Sequence, residues 1–204
     1  MTIKDRKRID DYYSQKARKE KYPARSVWKL EEFAEKYRLF KPGMRVLDLG
    51  CAPGSWSLYA AKAVGPRGLV LGLDLNPPAV KPVPENVIFK QADLLTDGLD
   101  LARDYAPFQV ILSDMAPKTS GRKEIDQAKS LELCAVAWEW AQTLSVKGAD
   151  FLLKIFQSPE GDDFLKRLNL FYDKQIRLKP KATRKGSQEI FVLNRGLLKS
   201  PSQD

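Results

Sequence analysis

Five short, mainly apolar runs, set apart by turns and helix-patterned stretches, leave this chain few folds to adopt. Arg45–Leu49, Leu69–Leu75, Val87–Gln91, Phe108–Ser113 and Phe151–Phe156 read as strands buried on both faces. Helix candidates lie around them: Glu31–Tyr37, which ends before Pro42-Gly43, and Ser55–Val64 after a glycine turn. Ile125–Leu144 carries apolar residues at helical spacing (Leu131, Ala135, Trp138, Ala141), and Asp162–Leu170 is short, with Asp162 as its N-cap. Such alternation builds a mostly parallel sheet with helices on both faces, a Rossmann-like α/β fold. Two further strands, Lys174–Leu178 and Glu189–Leu193, have no helix between them, so one of the seven runs antiparallel. A chain of 204 residues can bury the core of one such domain. No repeat or Gly/Ser linker marks a second one. The expected division is a basic extension over 1–21, the domain over 22–195 and a tail over 196–204.

Composition narrows the chemistry. Histidine is absent, which excludes Ser-His-Asp and Cys-His catalysis and His-ligated zinc. The two cysteines, Cys51 and Cys134, supply neither a disulfide framework nor a four-cysteine metal site, and no metal is expected. Cys51 lies beside the glycine turn and Cys134 on the apolar stripe of a helix, and both read as inert. The net charge is +9. It is concentrated at the two ends: residues 1–29 hold ten Lys/Arg against four Asp/Glu, and residues 174–204 hold eight against two. The plainer reading of the ends is two solvated tails. The sharper one brings both to one face, where they grip a phosphate backbone. The start is charged throughout, without the apolar stretch of a secretion signal, and no apolar run approaches the ~20 residues that span a bilayer. The expectation is a cytoplasmic protein, monomeric by default, that touches no membrane.

The first strand runs into Val46–Trp56, VLDLGCAPGSW, with Asp48 near its end and Gly50, Pro53 and Gly54 in the turn that follows. Glycines there allow a ligand close to the backbone, and the next helix start offers free N–H groups. The spacing is not the dinucleotide fingerprint G-x-G-x-x-G, which disfavours a nicotinamide oxidoreductase. The second strand ends at Asp74, suited to accept both hydroxyls of a ribose; a carboxylate that only caps its own loop is the plainer alternative. The third leads to Asp93-Leu94, where the acid could accept an adenine amino group while the leucine packs on the ring. In an open parallel sheet such strand ends converge on one crevice, and three together point to an adenosine-containing ligand. The fourth strand ends in Ser113-Asp114-Met115-Ala116-Pro117. The fifth carries Lys154 inside an apolar run, where burial disfavours its charge; a snorkelling edge lysine is the alternative.

The motifs DLGCAPGSW, SDMAPKTSG, LLKIFQ and SQEIFVL, preceded by ARSVWKL, closely resemble the FtsJ/RrmJ type of S-adenosylmethionine-dependent 2′-O-ribose RNA methyltransferase, from about Tyr22 to Leu193. The resemblance implies a Lys-Asp-Lys-Glu tetrad at Lys29, Asp114, Lys154 and Glu189. It implies cofactor contacts at Gly54, Trp56, Asp74, Asp93 and Asp114, to which the turn and strand ends add Gly50, Pro53 and Leu94. In that scheme Lys154 takes the hydroxyl proton after burial and a like charge at Lys29 neutralise it, or stays charged and orients the hydroxyl. Asp114 orients Lys154, while Lys29 and Glu189 position the hydroxyl and the ribose. The bacterial branch is nearest, and its substrate is a uridine in the A loop of 23S rRNA, within the 50S subunit. RNA contacts are expected at Arg25, Lys29, Lys118 and Arg184. Other readings are the same chemistry on tRNA, mitochondrial rRNA or an RNA cap, and a non-catalytic RNA-binding assembly module. Two departures stand out: Ser55 occupies a position where glycine is frequent, with little effect expected, and Lys118 one where asparagine is frequent. Trp138 and Trp140 read as helix packing, and Trp28 as core in preference to a base-stacking platform.

Overall fold

The structure is a computed structural model that describes residues 12–184 and 186–199. Seven strands form one sheet: β1 (Arg45–Leu49), β2 (Leu69–Asp74), β3 (Val87–Gln91), β4 (Phe108–Ser113), β5 (Ser145–Phe156), β6 (Tyr172–Leu178) and β7 (Glu189–Leu197). The order is β3-β2-β1-β4-β5-β7-β6, and β7 is antiparallel to both of its neighbours. Among the described residues six helices accompany the sheet: α1 (12–19), α2 (Val27–Tyr37), α3 (Ser55–Val64), α4 (Asp100–Arg103), α5 (Lys123–Leu144) and α6 (Pro159–Asn169). No helix among the described residues is long and apolar enough to cross a membrane.

Several elements depart from the sequence reading. α2 begins at Val27 rather than Glu31, so Lys29 stands in its first turn. α6 begins at Pro159 rather than Asp162. Ser158 is its N-cap, accepting the Gly161 N–H at 2.9 Å, and Pro159 takes the first helical position, where a missing N–H costs nothing. Asp162 instead accepts a hydrogen bond from Arg177 on β6. β5 starts at Ser145, six residues early, because its first half pairs with β4 through a register shift that leaves Lys147 and Gly148 exposed. β7 runs on to Leu197. Helices α1 and α4 were not expected. α1 is seated on the body by Ala17, which is buried with Tyr22, Val27, Trp28 and Ala182. Residues 1–11, Lys185 of the basic loop and 200–204 of the expected tail lie outside the described residues.

The alternation of side chains along the strands places the site. Val46, Val70, Val110, Leu112, Leu152, Phe191 and Leu193 pack beneath α2 and α3. Their neighbours in sequence, Leu47, Leu71, Ile111, Leu153, Ile190 and Val192, pack beneath α5 and α6. With a period of two, Asp48, Asp74, Lys154 and Glu189 fall on the α2/α3 face, and Asp114, one residue past β4, continues it. Four carboxylates and a lysine thus share one face at one edge of the sheet.

Candidate active site

The expected tetrad forms two ion pairs. Lys154 Nζ donates to Asp114 Oδ1 at 2.7 Å and to the Asp114 carbonyl oxygen at 2.5 Å. Lys29 Nζ donates to Glu189 Oε1 at 2.5 Å, with the Phe191 ring 5.1 Å away. The β5–β7 register makes the two pairs neighbours: Lys154 lies opposite Phe191, and Phe156 opposite Glu189. Lys154 is 6% exposed, so its stem is not a snorkelling edge lysine. The sequence reading missed two supports of Lys154, one turn apart on α5. The Cys134 thiol donates to the Lys154 carbonyl oxygen at 3.2 Å, and Ser130 Oγ accepts the Phe156 N–H at 3.0 Å. Burial pushes the Cys134 thiol up to about 12, so it stays protonated as that donor.

A crevice of about 700 Å³ opens beside Asp114, lined by Gly50, Asp74, Asp93, Leu94 and Asp114 among others. It lies where the strand order reverses between β1 and β4, the place where open α/β sheets bind ligands. Asp74 serves its own loops as well: Oδ2 accepts the Ala52 N–H at 2.9 Å, and Oδ1 accepts from Asn76. A carboxylate has about four acceptor directions, so capacity for a ligand remains on Oδ2. Asp93 Oδ1 accepts the Leu95 N–H at 3.0 Å. Gly50 is needed for packing, since a Cβ there would stand 2.5 Å from Met115 Cγ. Pro53, Gly54 and Trp56 do not line the crevice. Gly54 has φ +106°, and a Cβ on it would stand 2.5 Å from Val80 Cγ2. The Trp56 ring is buried against Phe191, 5.8 Å between centroids, and serves as packing.

Asp48 is 1% exposed at the end of β1. Its Oδ2 accepts from Ser57 Oγ at 2.6 Å, and its Oδ1 has no hydrogen-bond partner among the described residues. Burial, with the nearby charges of Asp114 and Asp74, pushes the carboxyl up to about 7. A raised acid binds more protons folded than unfolded, so its contribution is fully present below about pH 4 and is lost as pH rises towards 7. Asp48→Asn, which keeps an acceptor for Ser57, should therefore match the parent near pH 4 and exceed it above pH 7, by on the order of 2–4 kcal/mol. Thermal melts across this range check it; a constant gap would contradict it.

The described parts of the two basic ends meet beside α2. Arg25 donates to the Ala182 carbonyl oxygen at 3.5 Å, and Glu32 on α2 accepts the Lys181 N–H at 2.9 Å. The β6–β7 loop, which carries Arg184, is thereby held against the segment between α1 and α2. Lys118 stands apart from them, exposed on the far rim of the crevice. Trp28 is buried, and its Nε1 donates to the Tyr13 carbonyl oxygen at 2.9 Å, which makes it core rather than a stacking platform. Trp138 packs among Phe151, Phe171 and Tyr172, and Trp140 is buried. Both cysteines are buried and free. No group of three or more His, Cys, Asp or Glu side chains that could hold a metal occurs among the described residues.

A doubly wound sheet with a nucleoside-sized crevice at its switch point, beside paired lysines and carboxylates, defines the class of protein. The family profile described as FtsJ-like methyltransferase matches residues 22–197. The ribosomal RNA large subunit methyltransferase E of Bdellovibrio bacteriovorus is 44% identical over 187 residues, covering 90% of this chain and 94% of that protein. Its counterpart in Desulfatibacillum aliphaticivorans is 46% identical over 187 residues, covering 90% and 88%. A ribosomal RNA methyltransferase of Plasmodium falciparum, known from its crystal structure, superposes with a TM-score of 0.74 at 25% identity, covering 87% of this chain and 99% of that one. The chain belongs to the FtsJ-like methyltransferase family. The crevice fits a nucleoside cofactor: its volume is within the range of small-molecule sites, carboxylates stand at three strand ends, and a buried carboxylate oxygen beside them is unpartnered.

Proposed function

We propose that this protein transfers a methyl group from S-adenosylmethionine to the 2′-OH of a ribose in RNA, its target a uridine of the 23S rRNA A loop in the large ribosomal subunit, in the cytoplasm. The observation that carries this reading is the pairing of Lys154 with Asp114 and of Lys29 with Glu189 on one face, beside the crevice. Asp74 would hold the ribose of the cofactor and Asp93 its adenine amino group, with Leu94 against the ring and Gly50 and Ala52 of the turn against the rest. The bound sulfonium supplies a methyl group that is already activated, so the protein's task is to prepare the hydroxyl.

Asp114 takes two of the tetrahedral directions around Lys154 Nζ. In the ammonium form the next direction is an N–H that can fix the hydroxyl oxygen. In the amine form it is a lone pair that can receive the hydroxyl proton. The same frame serves both, and both point the hydroxyl at the crevice. Lys29 and Glu189 offer a donor and an acceptor one strand over, enough to fix the ribose. Alignment matters because attack requires the oxygen ~3–3.5 Å from the methyl carbon, in line with the breaking bond.

The basic face would grip the RNA backbone. Replacing Arg25 and Arg184 together by alanine should weaken RNA binding and lower its salt slope by about one unit per lost phosphate contact, with cofactor affinity in the absence of RNA unchanged. Binding isotherms at several salt concentrations check this; parental affinity at every salt would assign the two ends to solvated tails. The function itself is tested with labelled S-adenosylmethionine offered 50S subunits, free large-subunit rRNA and tRNA. Label on large-subunit rRNA supports the reading, and label confined to tRNA replaces it.

A further inference from the structure

Ser55, the first residue of α3, is 1% exposed, and its hydroxyl engages both polar groups of one backbone residue. Oγ accepts the Ala24 N–H at 2.7 Å and lies 3.2 Å from the Ala24 carbonyl oxygen, to which it donates. The next residue, Trp56, donates from Nε1 to the Ser26 carbonyl oxygen at 2.9 Å, and that oxygen also accepts the Lys29 N–H at 3.0 Å. The start of α3 therefore holds residues 24 and 26, with Arg25 between them and Lys29 one turn beyond. On its other side α3 continues from a tight turn, closed by the Gly54 N–H on the Cys51 carbonyl oxygen at 2.6 Å, whose Gly50 and Ala52 line the crevice.

We infer that Ser55 is a positioning residue through which occupancy of the cofactor crevice strengthens the grip of Arg25 and Lys29 on RNA. A ligand seated on Gly50 and Ala52 restrains the turn and the start of α3. Ser55 passes that restraint to Ala24 through two hydrogen bonds that neither alanine nor glycine could make. RNA then meets a segment whose ordering has already been met by the first ligand, which gives positive coupling without a change of shape. Linkage makes it reciprocal, so RNA tightens the cofactor by the same factor. This inference rests on the functional reading above, with the crevice as the cofactor site and Arg25 as an RNA contact.

The test is RNA binding by the full chain with and without saturating S-adenosylhomocysteine, using a large-subunit rRNA transcript. In the parent the nucleoside should tighten RNA binding by about five-fold or more, the lower end of usual coupling. In Ser55→Ala that factor should fall below about two-fold, while S-adenosylhomocysteine alone binds as in the parent, and the KM for RNA should rise by more than kcat falls. A measurement on the parent alone stands beside it: S-adenosylhomocysteine should slow hydrogen exchange of the Ala24 amide. RNA affinity in the parent that ignores the nucleoside, full coupling in Ser55→Ala, or unchanged Ala24 exchange overturns the inference. A parent that binds neither ligand overturns the functional reading instead, so the two failures are distinct.

Discussion

Lys154→Ala is expected to bind cofactor and RNA nearly as the parent does and to lose methyl transfer by ~10²–10⁴-fold, with more lost if the hydroxyl is also misaligned. The lysine makes its two polar contacts with Asp114 alone, and its backbone is held independently by Cys134, so truncation removes the reacting group without dismantling the strand. Lys154→Arg asks which form acts. Arginine keeps the charge but cannot be deprotonated, and its planar fork differs in geometry. Substantial activity in the arginine variant excludes an amine base and favours an ammonium that orients the hydroxyl. Where activity is poor, the pH–rate profile of the parent decides under conditions where chemistry limits the rate: a base requires an ascending limb. Full methylation by Lys154→Ala would contradict both schemes and the site itself.

Phe191→Ala should cost ~3–5 kcal/mol of stability, the range for deleting a buried aromatic ring. Phe191 is fully buried on β7, directly opposite Lys154. Its ring centroid lies 5.8 Å from that of Trp56 and 6.3 Å from that of Phe33, so it joins the sheet to both α3 and α2. Without it a cavity opens under the helix that carries Lys29, and relaxation would shift the Lys29–Glu189 pair. For a chain of this size each kcal/mol is worth roughly 2–4 °C in melting temperature. Phe191→Leu, which leaves a smaller void, should lose less. Chemical denaturation measures both; a loss below ~1 kcal/mol in the alanine variant would mean that the site collapses freely around the gap.

The parts of this fold that the sequence makes legible are those where one physical cause acts alone. β1 and β4 match their apolar runs because strands buried on both faces need little else, whereas β3 keeps its expected bounds as an edge strand with only Val87 buried, not covered on both faces as its run suggests. The start of α2 is hidden because its buried residues face two ways: Val27 and Trp28 pack with α1, whereas Leu30 and Phe33 pack on the sheet, so no single stripe forms. The first half of β5 is hidden by its bulge, and α1 by having Ala17 as its one fully covered residue among those described. Residue types and strand ends single out Asp74, Asp93 and Lys154 as candidates, whereas Asp114 enters only through the family resemblance. The Lys29–Glu189 pair does not follow from the sequence, since it depends on how α2 packs on the sheet, through Phe33 against Phe191, and on the β5–β7 register that sets Glu189 two residues from the position opposite Lys154. The role of Ser55 depends on Ala24, 31 residues earlier, which no local pattern announces.

Transfer of the methyl group to a ribose oxygen, rather than to a base, decides the chemistry. Large-subunit RNA labelled by the protein from S-adenosylmethionine, then hydrolysed in alkali, tests it most directly. Alkaline cleavage uses the 2′-OH as its nucleophile, so a 2′-O-methyl blocks the step at its own nucleotide. The label is expected in one alkali-resistant dinucleotide with uridine on its 5′ side. Label released as a mononucleotide, the mark of a methylated base, would contradict it.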